Sequence, residues 1–351
     1  MQQRVDHAAT ADGTVVAFAS VGEGRPTLYV SGWVSHLRLS WDLPEERAFY
    51  EGLARGCRLV RYDRAGCGLS PRSARPPSLE FELEQLAAVA ATLGPEPFDL
   101  IGSSLGALVA VAWAAAHPET VRRLVVYGGW VSGAEISPPD VQEHVLGLVE
   151  SHWGLGSDVL TDIFAPDAQP TTREHFGRYQ RSSSDGATAR ALLAMSYGLD
   201  IRAVLADVRA PTLVVHREKD RAAPVAQAEE LASGIPGARL VVLPGRSHLP
   251  YAGDTQELLA TIRRFLGLRA SRSGTGMLTS RQLQVAALIS GGSSNREIAT
   301  RLGIEERSAE GHVERILLRL GFRSRAQIAS WYATHPGHAE VVDDRGPAQV
   351  G

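Results

Sequence analysis

Residues 100–106 read Leu100-Ile-Gly-Ser-Ser-Leu-Gly106, which places a serine between two glycines as Gly102-x-Ser104-x-Gly106. The short apolar run Phe98-Asp-Leu-Ile101 precedes it, and the helix-forming run Ala107 to Ala116 follows. Strand, sharp turn and helix is the context in which such a serine can carry chemistry. The turn forces the central residue into a strained backbone conformation that lifts its hydroxyl clear of the sheet. Small residues are needed where strand and helix nearly touch, and Gly102, Ser103 and Gly106 supply them. The helix that follows directs its free N–H groups and positive dipole end at the same point.

Outward from this turn, the chain alternates strand-like and helix-like segments. Val5–Thr10 and Thr14–Ser20 read as two strands joined by a turn at Asp12-Gly13. The apolar run Thr27–Val30 stops at Ser31-Gly32-Trp33, and a helix is expected near 45–56. Cys57–Tyr62 reads as another strand, ending in Asp63-Arg-Ala-Gly-Cys-Gly-Leu-Ser70, before a helix over about 78–93. After the serine turn come strands at Val121–Tyr127, Pro211–His216 and Arg239–Leu243, with helices at 225–233 and 255–266. Strands that are apolar throughout and alternate with helices predict a mainly parallel sheet covered on both faces. Between 128 and 199 the alternation stops, in a segment carrying Trp130, Trp153, Phe164, Phe176 and Tyr179. Its position after a central strand suits a helical lid over about 129–199.

Composition agrees with a folded chain that has a sizeable core. The 351 residues are 44% hydrophobic and 21% charged, with a formal net charge of −3. That balance gives no global sign of nucleic-acid or membrane binding, so local charge must be read separately. The two cysteines, Cys57 and Cys67, make neither a disulfide framework nor a metal-ligand spacing, and no cofactor is expected. The start lacks an apolar signal core and no run approaches a membrane span, so a cytoplasmic protein with no membrane partner is expected.

A serine hydroxyl becomes a nucleophile only when a base takes its proton and a carboxylate orients that base. Asp220 lies just past the strand ending at His216, and His248 follows the next strand in Gly245-Arg-Ser-His248. In a parallel sheet these loops open on one edge, at the carboxyl ends of the strands. The order Ser104, Asp220, His248, together with Tyr62-Asp-Arg-Ala-Gly-Cys-Gly-Leu-Ser70 and Pro211-Thr-Leu-Val-Val-His216, resembles the α/β-hydrolase family over roughly residues 5–268. The resemblance implies that Ser104 is nucleophile, His248 general base and then acid, and Asp220 its orienting partner. It also implies an oxyanion hole made by the backbone N–H groups of Leu105 and Trp33. Ser31 stands where many relatives have histidine, and Arg217 where glycine commonly follows the strand's histidine; both are expected to reshape the mouth of the site. Asp63 and Arg64 are expected to tie their turn together, Cys67 to be packing, and His36 and His216 to be structural.

Residues 269–276 are short, polar and glycine-bearing, and read as a linker. Beyond it, four helices are expected within 277–335, and the aperiodic tail 336–351 reads as disordered. Leu278-Thr-x-Arg281, Gly292-x-Ser-Asn-Arg-Glu-Ile-Ala299, Leu302-x-Ile304 and His312 ahead of Ile316-x-x-x-Leu320-Gly321 resemble the LuxR-type (GerE-type) helix-turn-helix domain. Nine arginines against five glutamates over 271–335 supply the local basicity that phosphates require. The resemblance assigns the third helix to the major groove of double-stranded DNA, with Arg296, Ser308, Arg315, Arg319 and Arg323 as candidate contacts. Glu310 departs from the pattern, standing where relatives carry lysine, with Gly311 beside it and Glu314 one turn on. An acidic side chain facing phosphate weakens binding, although it can accept a hydrogen bond from a cytosine amino group.

The expectation is therefore an α/β-hydrolase fold followed by a small all-α domain. Its function would be that of a homodimeric, DNA-binding regulator whose larger domain senses and hydrolyses a small ester, lactone or amide. A working serine hydrolase whose terminal helices only dimerise or tether it is the alternative.

Overall fold

A computed structural model describes residues 1–268, 278, 280–320 and 322–333. The chain divides into two compact units, Met1–Arg269 and Ala270–Gly351.

In the first unit the strands are β1 (Arg4–Ala9), β2 (Val15–Val21), β3 (Pro26–Val30), β4 (Arg58–Tyr62), β5 (Phe98–Ser103), β6 (Val121–Tyr127), β7 (Thr212–Arg217) and β8 (Arg239–Leu243). They form one sheet in the order β1-β2-β4-β3-β5-β6-β7-β8. The β1–β2 and β2–β4 pairs are antiparallel. All the others are parallel.

Successive strand residues point to opposite faces, and both faces are apolar. Leu28, Val30, Leu100, Leu124, Val126 and Val214 belong to one core layer. Their neighbours Tyr29, Ile101, Val125, Tyr127, Leu213 and Val215 belong to the other. The helices preceding the lid are α1 (Leu39–Asp42), α2 (Pro44–Ala54), α3 (Leu79–Ala90) and α4 (Leu105–Ala116). Four helices follow in the segment expected as a lid: α5 (Pro139–Ser151), α6 (Trp153–Phe164), α7 (Pro170–Ser183) and α8 (Gly186–Gly198). The unit closes with α9 (Val225–Gly234) and α10 (Thr255–Leu266). Side chains of α3, α4, α9 and the lid pack on the first layer, and those of α2 and α10 on the second.

The second unit contains α11 (Ser280–Ser290), α12 (Asn295–Leu302), α13 (Glu306–Leu320) and α14 (Arg325–Ala333). Val285, Ile289, Ile298, Val313, Ile316 and Ile328 form its core, closed by Leu278. Residues 269–276, expected as linker, and 336–351, expected as a disordered tail, lie outside the described residues. Among the described residues no helix is long and apolar enough to cross a membrane.

Candidate active site

Ser104 takes φ 56° and ψ −128° between β5 and α4. Among the described residues it is the one non-glycine with positive φ. Its neighbours explain how so unfavourable a conformation persists. A Cβ on Gly106 would stand 2.3 Å from the Val30 carbonyl oxygen, and one on Gly102 would stand 2.4 Å from the Gly106 carbonyl oxygen. Both clashes are with backbone, so neither position can accept a larger residue without moving a strand.

The parallel sheet brings three distant side chains to one edge. His248 Nε2 lies 2.8 Å from Ser104 Oγ. His248 Nδ1 lies 2.7 Å from Asp220 Oδ2. The hydroxyl and the carboxylate thus occupy opposite ring nitrogens of one imidazole. Asp220 Oδ1 accepts from the Ala222 N–H at 2.8 Å, which fixes the carboxylate at the start of its loop. Burial pushes the Asp220 carboxyl up, but the His248 imidazole, its hydrogen bond, His216 and the Ala222 N–H together hold it below the ordinary carboxylate value. It therefore stays ionised and acceptor-only at neutral pH.

Further groups that the motifs did not flag hold this arrangement. A Cβ on Gly128, at φ 58°, would sit 3.1 Å from His248 Cε1, so the imidazole lies over bare backbone at the end of β6. The Phe164 carbonyl, the last of α6, accepts from the His248 N–H at 2.8 Å and from Ser247 Oγ at 3.1 Å. The Phe164 ring also lies 5.5 Å from the imidazole. The only hint of these roles in the chain is the Gly128-Gly129 pair directly after a strand.

Arg64 does more than tie its own turn. Its buried guanidinium pairs with Glu82 at 3.0 Å and donates to the carbonyls of Ser31 at 3.2 Å, Gly32, and Trp33 at 3.0 Å. Because the Gly32–Trp33 peptide is trans, turning its carbonyl toward Arg64 turns the Trp33 N–H away from it. The Cβ position of Gly32 is 3.5 Å from Ser104 Cβ, so this loop borders the hydroxyl. Leu105 opens α4, and its N–H is among the helix-end donors without an intrahelical acceptor. Asp63 supports the adjoining stretch, accepting from Ser35 Oγ, the Leu37 N–H and the Leu69 N–H.

Arg217 is not at the mouth, as its position in the sequence suggested. It is 1% exposed and donates to the carbonyls of Pro244 at 2.9 Å and Ala252 at 3.0 Å, and to Tyr127 Oη at 3.3 Å. The glycine-lined turns at Gly245 and Gly253 pack against the guanidinium, which explains why a long cation fits where glycine is usual. Ser31 does line a cavity at Ser104. His216 is fully buried, its Nε2 2.9 Å from the Ala223 carbonyl, and burial lowers its pKa. Cys67 is likewise buried in the core.

In the second unit Arg296, Ser308, Arg315 and Arg323 are exposed, whereas the side chain of Arg319 lies outside the described residues. Ser308 and Arg315 are two helical turns apart on one side of α13, about 100° round from the face that buries Ala309, Val313 and Ile316. Glu310 and Glu314 are exposed as well. Helix α12 starts with a reciprocal cap: Ser294 Oγ accepts from the Glu297 N–H at 3.3 Å, and Glu297 Oε2 accepts from the Ser294 N–H at 2.7 Å. Arg325 joins α14 to that cap, donating to Asn295 Oδ1 at 2.7 Å and to the Ser293 carbonyl.

Residues 28–261 match the family model described as alpha/beta hydrolase family. The chain belongs to the α/β-hydrolase family. Residues 276–332 match a second model, bacterial regulatory proteins of the luxR family. This α/β hydrolase therefore carries a luxR-type helix-turn-helix domain in the same polypeptide. It is 26% identical to a pyrrolizixenacetamide deacetylase of Xenorhabdus hominickii, over 72% of this chain and 94% of that protein. It is also 26% identical to a pimeloyl-[acyl-carrier protein] methyl ester esterase of Chromobacterium violaceum, over 72% of this chain and 98% of the relative. A hydrolase from Pseudomonas aeruginosa shares the fold with a TM-score of 0.66 at 24% identity, covering 75% of this chain and 98% of its own.

Proposed function

We propose that this chain is a DNA-binding transcriptional regulator whose α/β-hydrolase domain binds and hydrolyses a small ester, lactone or amide by serine acyl transfer. The observation carrying this reading is the continuous hydrogen-bonded series from Ser104 Oγ through both nitrogens of His248 to Asp220. In the reaction His248 Nε2 takes the Ser104 proton as Oγ attacks the acyl carbon. Asp220 holds the Nδ1–H and stabilises the imidazolium that results. The N–H groups of Leu105 and Trp33 face the negative oxygen of the tetrahedral intermediate. His248 then gives its proton to the leaving alcohol or amine, and water, deprotonated by the same imidazole, releases the acid. Relatives named as an esterase and as a deacetylase support ester and amide substrates alike.

The DNA-binding half rests on the luxR-family match and on the exposed Arg296, Arg301, Arg307, Arg315 and Arg323. A second reading, an enzyme that its terminal helices merely tether or dimerise, is favoured by Glu310 and Glu314, both exposed on the helix assigned to the groove. Two measurements separate the readings. A fluorophosphonate labels the wild-type chain and not Ser104→Ala; equal labelling of both removes the acyl-transfer mechanism. Duplex affinity is then measured with and without the label. An unchanged affinity leaves a tethered enzyme, because coupling must show as a change in binding free energy.

A further inference from the structure

Two cavities open at Ser104 and His248, and their chemistry differs. The larger, about 260 Å3, is bounded by lid side chains such as Val141, Val145, Leu160 and Ile163, together with Trp130. The smaller, about 60 Å3, extends from the same two residues to Glu46 and Tyr50 on α2. Each water-sized position takes roughly 10–15 Å3, so the smaller space admits only a few heavy atoms.

Glu46 is 3% exposed in the wall of that smaller cavity. Its Oε1 accepts from the Tyr50 hydroxyl at 2.9 Å. Its Oε2 is buried with no hydrogen-bond partner among the described residues. The nearest cation does not fill the gap: Arg61 lies 3.8 Å from the Tyr50 ring centre and donates instead to Ser40 Oγ and Gln3 Oε1. Asp63 is the other charged group acting on this carboxyl, which in turn acts on the phenols of Tyr29, Tyr179 and Tyr251 around it. A buried carboxyl oxygen without a donor lowers stability, and an apolar side chain at this helix position would avoid that cost. Such a cost persists where a ligand supplies the missing bond.

Resting on the acyl-transfer reading above, we propose that Glu46 is a specificity-determining residue. The substrate it selects is two-ended. An apolar portion fills the lid cavity, and a short group on the other side of the reacting carbonyl ends in an O–H or N–H that donates to Glu46 Oε2. A site that hydrogen-bonds such a group discriminates strongly against the analogue lacking it, because the analogue leaves the buried oxygen unpaired.

The test exchanges a hydroxyl for a methyl of equal size. The pairs are the 4-nitrophenyl esters of hydroxyacetate and propionate, those of 3-hydroxypropionate and butyrate, and, on the alcohol side, 2-hydroxyethyl and propyl phenylacetate. Each is scored by kcat/KM or, where turnover is too slow, by protection of Ser104 from fluorophosphonate. The wild type is expected to prefer the hydroxyl member of at least one pair by about tenfold or more. Glu46→Leu brings that ratio to one or below, and Glu46→Gln, which keeps the shape of the side chain, lowers it. The wild-type ratio also rises from pH 6 to pH 8, as the carboxyl gives way to a stronger charged acceptor. A merely structural Glu46 leaves it flat, because His248 acts on both members alike. A wild-type ratio at or below one in every pair, or a ratio unchanged in the folded variants, overturns the proposal. Ser104-dependent labelling without any preference removes only the role of Glu46, whereas absence of labelling removes acyl transfer itself.

Discussion

Ser104 holds its unfavourable backbone because two hydrogen atoms, those standing for the side chains of Gly102 and Gly106, are all that fits between β5, β3 and α4. Gly106→Ala therefore forces strand and helix apart, and is expected to cost about 1–3 kcal/mol. Urea unfolding checks this, and an unchanged midpoint would show that the turn can widen freely. Glu46 makes a second prediction at this scale. Burial raises its carboxyl to about 7, with Arg61 and the Tyr50 hydroxyl opposing and Asp63 adding to the rise. The native state then binds a proton that the unfolded chain, with an ordinary Glu near 4.3, has already released. Stability is full below about pH 4 and falls as pH rises toward 7, by a total of about 4 kcal/mol. Glu46→Gln has no proton to lose, so its unfolding free energy is expected to lack that slope between pH 5 and pH 8. A wild-type slope that survives the substitution would place its origin elsewhere.

Helices and strands differed in how openly the chain announced them. β6, β8 and α10 could be read residue by residue, since β6 carries the apolar run Leu124–Tyr127, β8 the run Leu240–Leu243, and α10 a clear apolar stripe. Gly102-x-Ser104-x-Gly106 marked its own turn, because the steric demand falls on adjacent residues. Less local facts stayed hidden. In the sequence Glu46 is an ordinary acid in the first turn of a helix after Pro44, and only the closing of α7 and the Leu249–Tyr251 segment around it makes it a buried wall. Arg217 misled for a similar reason: its brace runs to carbonyls 27 and 35 residues away. In the second unit the reciprocal cap on α12 is a local device and can be tested alone. Ser294→Ala removes the acceptor for the Glu297 N–H and is expected to cost about 1 kcal/mol, seen as faster amide exchange across α12. Exchange that stays as slow as in the wild type would mean that Arg325 and Asn295 hold the helix start by themselves.

The whole chain carries a formal charge of −3, yet residues 271–335 carry a local excess of four positive charges. If that excess serves DNA, affinity for a duplex falls steeply with salt, and Arg315→Ala makes the log–log slope shallower by about one. A slope near zero in the wild type would remove phosphate contacts altogether. On the hydrolase side, the covering helices are not independent of the residue beneath them. The Phe164 carbonyl at the end of α6 holds the backbone of the histidine loop, and its ring rests beside the imidazole. Under the acyl-transfer proposal, a guest bulky enough to push α6 outward would strain the bond between the Phe164 carbonyl and the His248 N–H and shift the imidazole away from the Ser104 hydroxyl. Such a molecule is then expected to stay intact while it is bound, whereas a smaller one is cleaved and leaves, so that residence time would become a measure of size.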